Sequence, residues 1–102
     1  MTEATILKIQ SYITTYEQLI EFLKETKITR LVDLAASLDS ALVQFKQMLV
    51  DGVDSKTGRE MIKGCRQGLR ETPEVIACKA PEQSEKLIAE FEAKLGRKFS
   101  EF

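Results

Sequence analysis

The fold is decided by residues 28–49, which read ITRLVDLAASLDSALVQFKQML. Apolar residues recur there in alternating steps of three and four, the spacing of one helical face. They are Ile28, Leu31, Ala35, Leu38, Leu42, Phe45 and Leu49. A second apolar set (Val32, Leu34, Ala41, Val43, Met48 and Val50) widens this face to roughly 220° of a helical wheel that advances about 100° per residue. A surface helix needs a narrower stripe, so the pattern predicts a central helix that its neighbours cover on most sides.

A first helix is predicted over residues 3–25, where the apolar spacing is the same. Its seam is Ile6, Ile9, Ile13, Tyr16, Ile20 and Leu23. A continuous seam would next need apolar residues at the positions that Lys27 and Arg30 occupy. This favours a break near residues 25–27 and an antiparallel hairpin. The alternative is one helix of roughly 45 residues, which would have to dimerise to cover its seam.

A third, weaker helix is predicted over residues 54–71, after a left-handed turn at Gly52. Gly64 and Gly68 lie one turn apart in it, and the pattern indicates close approach to another backbone. Thr72, Pro73 and Glu74 form a start signal, so we expect this helix to end there and a short one to begin.

The last helix is amphipathic through Leu87, Ile88, Phe91 and Leu95 and closes at Gly96. No stretch alternates β-branched and polar residues as strands do. The sequence therefore predicts an all-α fold, a small helical bundle. It has two long antiparallel helices plus two or three shorter helices, in one domain over residues 1–102.

Two charged residues interrupt the apolar arc of the second helix. Asp39 and Lys46 are seven residues apart and lie near the edge of that arc. They are interpreted either as edge residues that reach water or as a polar contact that sets the register across an interface.

Composition limits the classes of function. The chain has 43% apolar and 30% charged residues, and its formal net charge of −1 gives no strong field to attract DNA or an acidic membrane. No secretory signal pattern is present, and no apolar run approaches the roughly 20 residues of a membrane span. We expect a soluble, cytoplasmic protein without membrane association.

The sequence offers little for catalysis or metal binding. It contains no histidine, so Cys65 and Cys78 lack a base to activate them and a zinc site lacks ligands. No glycine-rich nucleotide loop follows a strand. We therefore expect no enzyme, no metal and no cofactor. The two cysteines are interpreted as reduced thiols, with a disulfide between them as the alternative.

A basic ridge is predicted on the third helix, because five cationic residues step by three and four along it. The ridge consists of Lys56, Arg59, Lys63, Arg66 and Arg70. Such a ridge is typical of a solvated or internally paired face, of a site for an acidic protein partner, or of a nucleic-acid site. No aromatic residue interleaves with it to stack a base, which weighs against nucleic acid.

Surplus apolar surface indicates a protein contact. The third helix is rich in glycine and offers few large side chains to cover its neighbours, while the tail adds Phe99 and Phe102. The expected contact surface is the apolar flank of the first two helices, since the second helix has more apolar face than one partner can cover. On the first helix this apolar flank consists of Tyr12, Leu19 and Phe22, beside the seam. The alternative is a fully satisfied monomeric core.

The leading hypothesis is a small non-enzymatic protein–protein interaction module, such as an adaptor, an inhibitor or an assembly subunit, expected as a homodimer or larger homo-oligomer. The apolar flank would make the contact and the basic ridge would tune the choice of an acidic partner. The alternative hypothesis is a nucleic-acid-associated helical protein that uses the basic ridge.

Overall fold

A computed structural model describes residues 2–102, and the described chain is all-α without strands. Its helices are α1 Glu3–Glu25, α2 Thr29–Asp51, α3 Ser55–Lys79 and α4 Ser84–Leu95, followed by the 3₁₀ turn Phe99–Glu101. The prediction of a small helical bundle is confirmed. Within these residues, no helix combines the length and apolar character needed to cross a bilayer.

α1 and α2 form the predicted antiparallel hairpin, with a break that local hydrogen bonds stabilise. The Thr26 hydroxyl donates to the Leu23 carbonyl at 2.6 Å and accepts from the Ile28 amide at 3.3 Å. Lys27 has a φ of 57°, a left-handed conformation that no helix continues through. The predicted break near residues 25–27 is therefore confirmed, and the single continuous helix is excluded.

The central helix is α1, so the prediction that α2 would be covered on most sides is wrong. α1 contacts all three other helices, whereas α2 packs mainly on α1. The buried apolar residues of α1 are Ile9, Tyr12, Ile13, Leu19, Ile20 and Leu23, and those of α2 are only Leu31, Ala35 and Leu42. Val43, Met48 and Val50 on α2 are exposed. The wide apolar arc of α2 is thus covered on one side only.

α3 is longer than predicted, because it does not end at Thr72 but continues through Pro73 to Lys79. Pro73 has no N–H to donate to the carbonyl one turn earlier, and this weakens the helix locally. Continuation nevertheless places Leu69 and Ile76, on either side of the proline, fully in the core. Burial of these large apolar side chains outweighs the local penalty.

The tail, residues 97–102, folds back on the bundle and is not surplus apolar surface as predicted. α4 ends at Gly96, whose φ of 75° is the left-handed C′ conformation that the sequence predicts. The Phe99 ring then stacks on Phe91 at 5.4 Å between centroids, and its amide donates to the Glu92 carboxylate at 2.8 Å. Phe99 and Phe102 are both buried.

Candidate functional site

A basic cleft of about 410 Å³ lies between α1, α3 and the tail. Four cationic side chains and one carboxylate are among its lining residues. The lining consists of Lys8, Ser11, Tyr12, Arg66, Arg70, Arg97, Glu101 and Phe102. Three segments that are distant in sequence thus bring positive charge to one cavity.

The tail positions two of the arginines in the basic cleft. An Arg70 guanidinium N–H donates to the Phe102 carbonyl at 2.8 Å, and Arg97 donates to the Glu101 carbonyl at 2.8 Å. The Arg97 guanidinium also lies 4.0 Å from the centre of the Phe102 ring, a cation–π contact. These main-chain and ring contacts hold the two guanidinium groups in place.

Within residues 2–102, no ion pair involves the cationic side chains of the basic cleft. The ion pairs in these residues are Lys46–Glu17 and Lys86–Glu90, and neither involves the cleft. The Nε of Arg66 is buried and has no hydrogen-bond partner in this part of the chain. An unsatisfied buried donor costs about 1–3 kcal/mol, and more when it is charged, so the arrangement is unfavourable without a ligand or solvent.

The predicted basic ridge is divided by the structure. All five residues lie on α3, but only Arg66 and Arg70 line the cleft, while Lys56, Arg59 and Lys63 are exposed and do not line it. Sequence reasoning missed Lys8 and Arg97, because helical periodicity relates only residues of one helix. The one available signal was the pair of phenylalanines after Gly96, which indicates that the tail returns to the core.

An apolar groove of about 180 Å³ lies between α1, α2 and α3. It is lined by Ile13, Tyr16, Leu38, Ala41, Leu42, Phe45, Gly64 and Cys65. Leu38, Ala41 and Phe45 follow the three–four spacing of one α2 face, and Met48 continues that face one turn further with 40% of its surface exposed. The groove therefore opens onto an apolar stripe of α2.

The groove is uncharged at neutral pH. The Tyr16 hydroxyl donates to the Cys65 carbonyl at 2.9 Å, and burial raises the pKa of Tyr16 well above its usual range. Burial likewise raises the pKa of the Cys65 thiol to about 11. Cys65 is buried and Cys78 exposed, and both are free, so no disulfide joins them.

Of the predicted apolar flank on α1, Tyr12 and Leu19 lie in the core and Phe22 is half-buried, so these residues do not form a free surface. Leu19 is fully buried, and Tyr12 is buried beside Phe102, with the ring centroids 6.4 Å apart. Phe22 packs on Phe91, with centroids 5.2 Å apart. α4 and the tail cover this side of α1, and the exposed large apolar residues other than Leu7 lie on α2.

The apolar groove and the basic cleft lie on different sides of α3. Gly64 lines the groove and Arg66 lines the cleft. Residues two positions apart on a helix differ in direction by roughly 200° around the helix axis. The expectation that the basic ridge tunes a partner bound to the apolar surface is therefore not supported, and the two surfaces are treated separately.

Gly68 and Gly64 differ in what an added methyl group would meet, although the sequence predicts the same role for both. A Cβ at Gly68 would collide with the Tyr16 hydroxyl, whereas a Cβ at Gly64 would meet nothing within 4 Å outside its own helix. The Gly68 neighbour is a side chain and not another backbone. The prediction of close backbone approach is therefore wrong for both glycines.

We expect Gly68→Ala to lower the free energy of unfolding by about 1–2 kcal/mol, because the collision exceeds the gain in helix propensity. Gly64→Ala should raise the free energy of unfolding by about 0.5–1 kcal/mol. Urea denaturation measures both changes. Adding Tyr16→Phe to Gly68→Ala should recover part of the loss, since it removes the colliding oxygen. Equal effects of the two alanines would contradict the packing at Gly68.

Comparisons of the chain with protein-family models, curated proteins and solved structures find no match. Within residues 2–102, no group of three or more His, Cys, Asp or Glu residues could hold a metal ion. The basic cleft, the apolar groove and the exposed face of α2 are therefore the candidate functional surfaces of the described chain.

Proposed function

We propose that the protein is a small protein–protein interaction module that self-associates through α2. The observation that supports this proposal is the scarcity of charge in residues 34–50 of α2. Residues 34–50 contain only two charged side chains, Asp39 and Lys46. The cores of protein interfaces are depleted in charged residues in the same way.

The exposed side chains of this stretch are small, apolar or amide-bearing. They are Ala36, Ser37, Ser40, Ala41, Val43, Gln44, Gln47, Met48 and Val50, besides the charged pair. Val50 is 80% exposed and Val43 is 61% exposed. Covering apolar surface contributes about 25 cal/mol per Å², so contact with a second apolar surface is favourable here.

A second copy of the chain is the occupant that the charges favour. Two identical faces repel each other when they carry net charge, but Asp39 and Lys46 have opposite signs. In an antiparallel two-fold pairing of α2 helices centred between these residues, each Asp39 approaches Lys46 of the second copy. The Lys46 Nζ lies 3.4 Å from a Glu17 carboxylate oxygen at the surface, and both side chains are about half exposed. In the dimer, Lys46 would contact this carboxylate and that of Asp39 in the second copy.

The apolar groove beside α2 supports the same pairing. It gives side chains of a second copy a place to insert next to Leu38 and Phe45, which are only partly covered within one chain. The nucleic-acid alternative receives less support, because two of the five ridge residues, Arg66 and Arg70, line the separate cleft.

Sedimentation velocity tests the proposal, from about 1 to about 100 µM, a range that covers micromolar dissociation constants. We expect a concentration-dependent monomer–dimer equilibrium. Ala41→Glu adds a charge beside the groove and should weaken the dimer about tenfold or more. Ala89→Glu makes the same change at an exposed alanine of α4 and should have no effect. A strict monomer at the highest concentration, or equal effects of the two variants, would overturn the proposal.

A further inference from the structure

We propose that the basic cleft binds a compact phosphate-type anion, either inorganic phosphate or the phosphomonoester group of a small molecule. This site lies away from the α2 face and adds a ligand to the proposed self-association. The proposal stands on the charge, the donors and the size of the cleft.

The charge of the cleft is the first argument. Lys8, Arg66, Arg70 and Arg97 line it, and Glu101 is the one acidic side chain in the lining. The whole chain has a formal net charge of −1, so this concentration of positive charge opposes the overall balance. Cations held close together repel each other, and a bound dianion would replace that repulsion with attraction.

The donors of the cleft are the second argument. Arg70 and Arg97 each give one bond to a tail carbonyl, and a guanidinium has five N–H donors in a rigid fork that matches phosphate oxygens. Arg66 lines the same cavity and has a buried Nε without an acceptor in residues 2–102. The tail therefore preorganises two guanidinium groups beside a third whose Nε lacks an acceptor in residues 2–102.

The size and the aromatic residues of the cleft favour a small ligand over a nucleic-acid strand. The cleft has a volume of about 410 Å³, which is larger than one phosphate group, and the tail closes the cleft on one side. The aromatic lining residues are Tyr12 and Phe102, and both are buried. Arg97 covers a face of the Phe102 ring, so that face is not free to stack a base.

Calorimetric titration with sodium phosphate, in buffers matched in ionic strength with sodium chloride, tests the proposal. We expect saturable phosphate binding and a thermal midpoint that rises with phosphate concentration more than with chloride. Lys8→Gln and Arg66→Gln should each weaken phosphate binding about tenfold, the effect of losing one charge-assisted contact. Lys56→Gln is the matched control, since Lys56 is exposed on α3 and does not line the cleft.

If the Arg66→Gln variant does not fold, Lys8→Gln still tests the proposal, because Lys8 is exposed and its substitution leaves the core intact. Stabilisation by phosphate no greater than by chloride would overturn the proposal, and so would an equal loss in Lys56→Gln and Lys8→Gln. Tighter binding of a single-stranded oligonucleotide, weakened by Lys56→Gln, would assign the charges to nucleic acid instead. Self-association is read from Ala41→Glu, so either proposal can fail without the other.

Discussion

Replacing Phe91 with alanine should lower the free energy of unfolding by about 3–5 kcal/mol, the usual range for a buried phenylalanine. Phe91 is 1% exposed, and its ring lies 5.2 Å from Phe22 and 5.4 Å from Phe99 between centroids. The substitution leaves a cavity at the point where α4 and the tail meet α1. Two aromatic contacts are lost with it, which places the expected cost toward the upper part of the range.

Urea denaturation followed by circular dichroism measures this loss, and Leu7→Ala is the control. Leu7 is also a large apolar residue of a helix, but it is 58% exposed, so its truncation should cost less than about 0.5 kcal/mol. Similar costs for the two variants would contradict the packing of α4. Phe99→Ala combined with Phe91→Ala should cost less than the sum of the single changes, because the two rings are in contact.

The helix boundaries that depend on neighbouring residues could be predicted from the sequence. The break before α2 follows from a seam that shifts by one residue, and Gly96 ends α4 with the expected left-handed conformation. Both signals act within a few residues of the chain. The end of α3 could not be predicted in this way, because the start signal at Pro73 is outweighed by the burial of Leu69 and Ile76 in the tertiary structure.

The apolar pattern of a helix does not show which of its faces the neighbouring helices bury. Periodicity measures how wide an apolar face is, and α2 has the wider face, but the packing of α3 and α4 on α1 decides which face is buried. Of the predicted contact surface on the first two helices, Tyr12 and Leu19 of α1 lie in the core, whereas Val43 and Val50 of α2 are exposed.

Only half of the cationic residues in the basic cleft could be predicted, because helical periodicity relates residues of one helix only. Arg66 and Arg70 share one face of α3, which the sequence reveals directly. Lys8 joins them because α1 packs on α3. Arg97 joins them because the tail folds back over α3, and that return depends on where Phe99 and Phe102 find space in the core. Such a convergence of distant segments has no signature in local spacing.

Replacing Pro73 with alanine should raise the free energy of unfolding by about 2–2.5 kcal/mol. Proline within a helix is about 3 kcal/mol less favourable than alanine, since it removes a hydrogen bond and crowds the preceding turn. Part of the gain is offset by about 0.4–1 kcal/mol, because alanine gives the unfolded chain more freedom. The Leu69 carbonyl would then receive the missing amide donor.

The sign of the stability change in Pro73→Ala distinguishes a continuous α3 from the helix boundary that the sequence predicts at Thr72. If a helix began at Thr72, Pro73 would occupy the first helical position, where proline is favoured, and alanine would lower stability. Pro81 is the matched control, because it lies in the turn between α3 and α4. Pro81→Ala should lower the free energy of unfolding by about 0.5 kcal/mol through the unfolded state alone. Opposite signs for the two prolines in urea denaturation support a continuous α3, and a loss of stability at both positions places a break at Thr72.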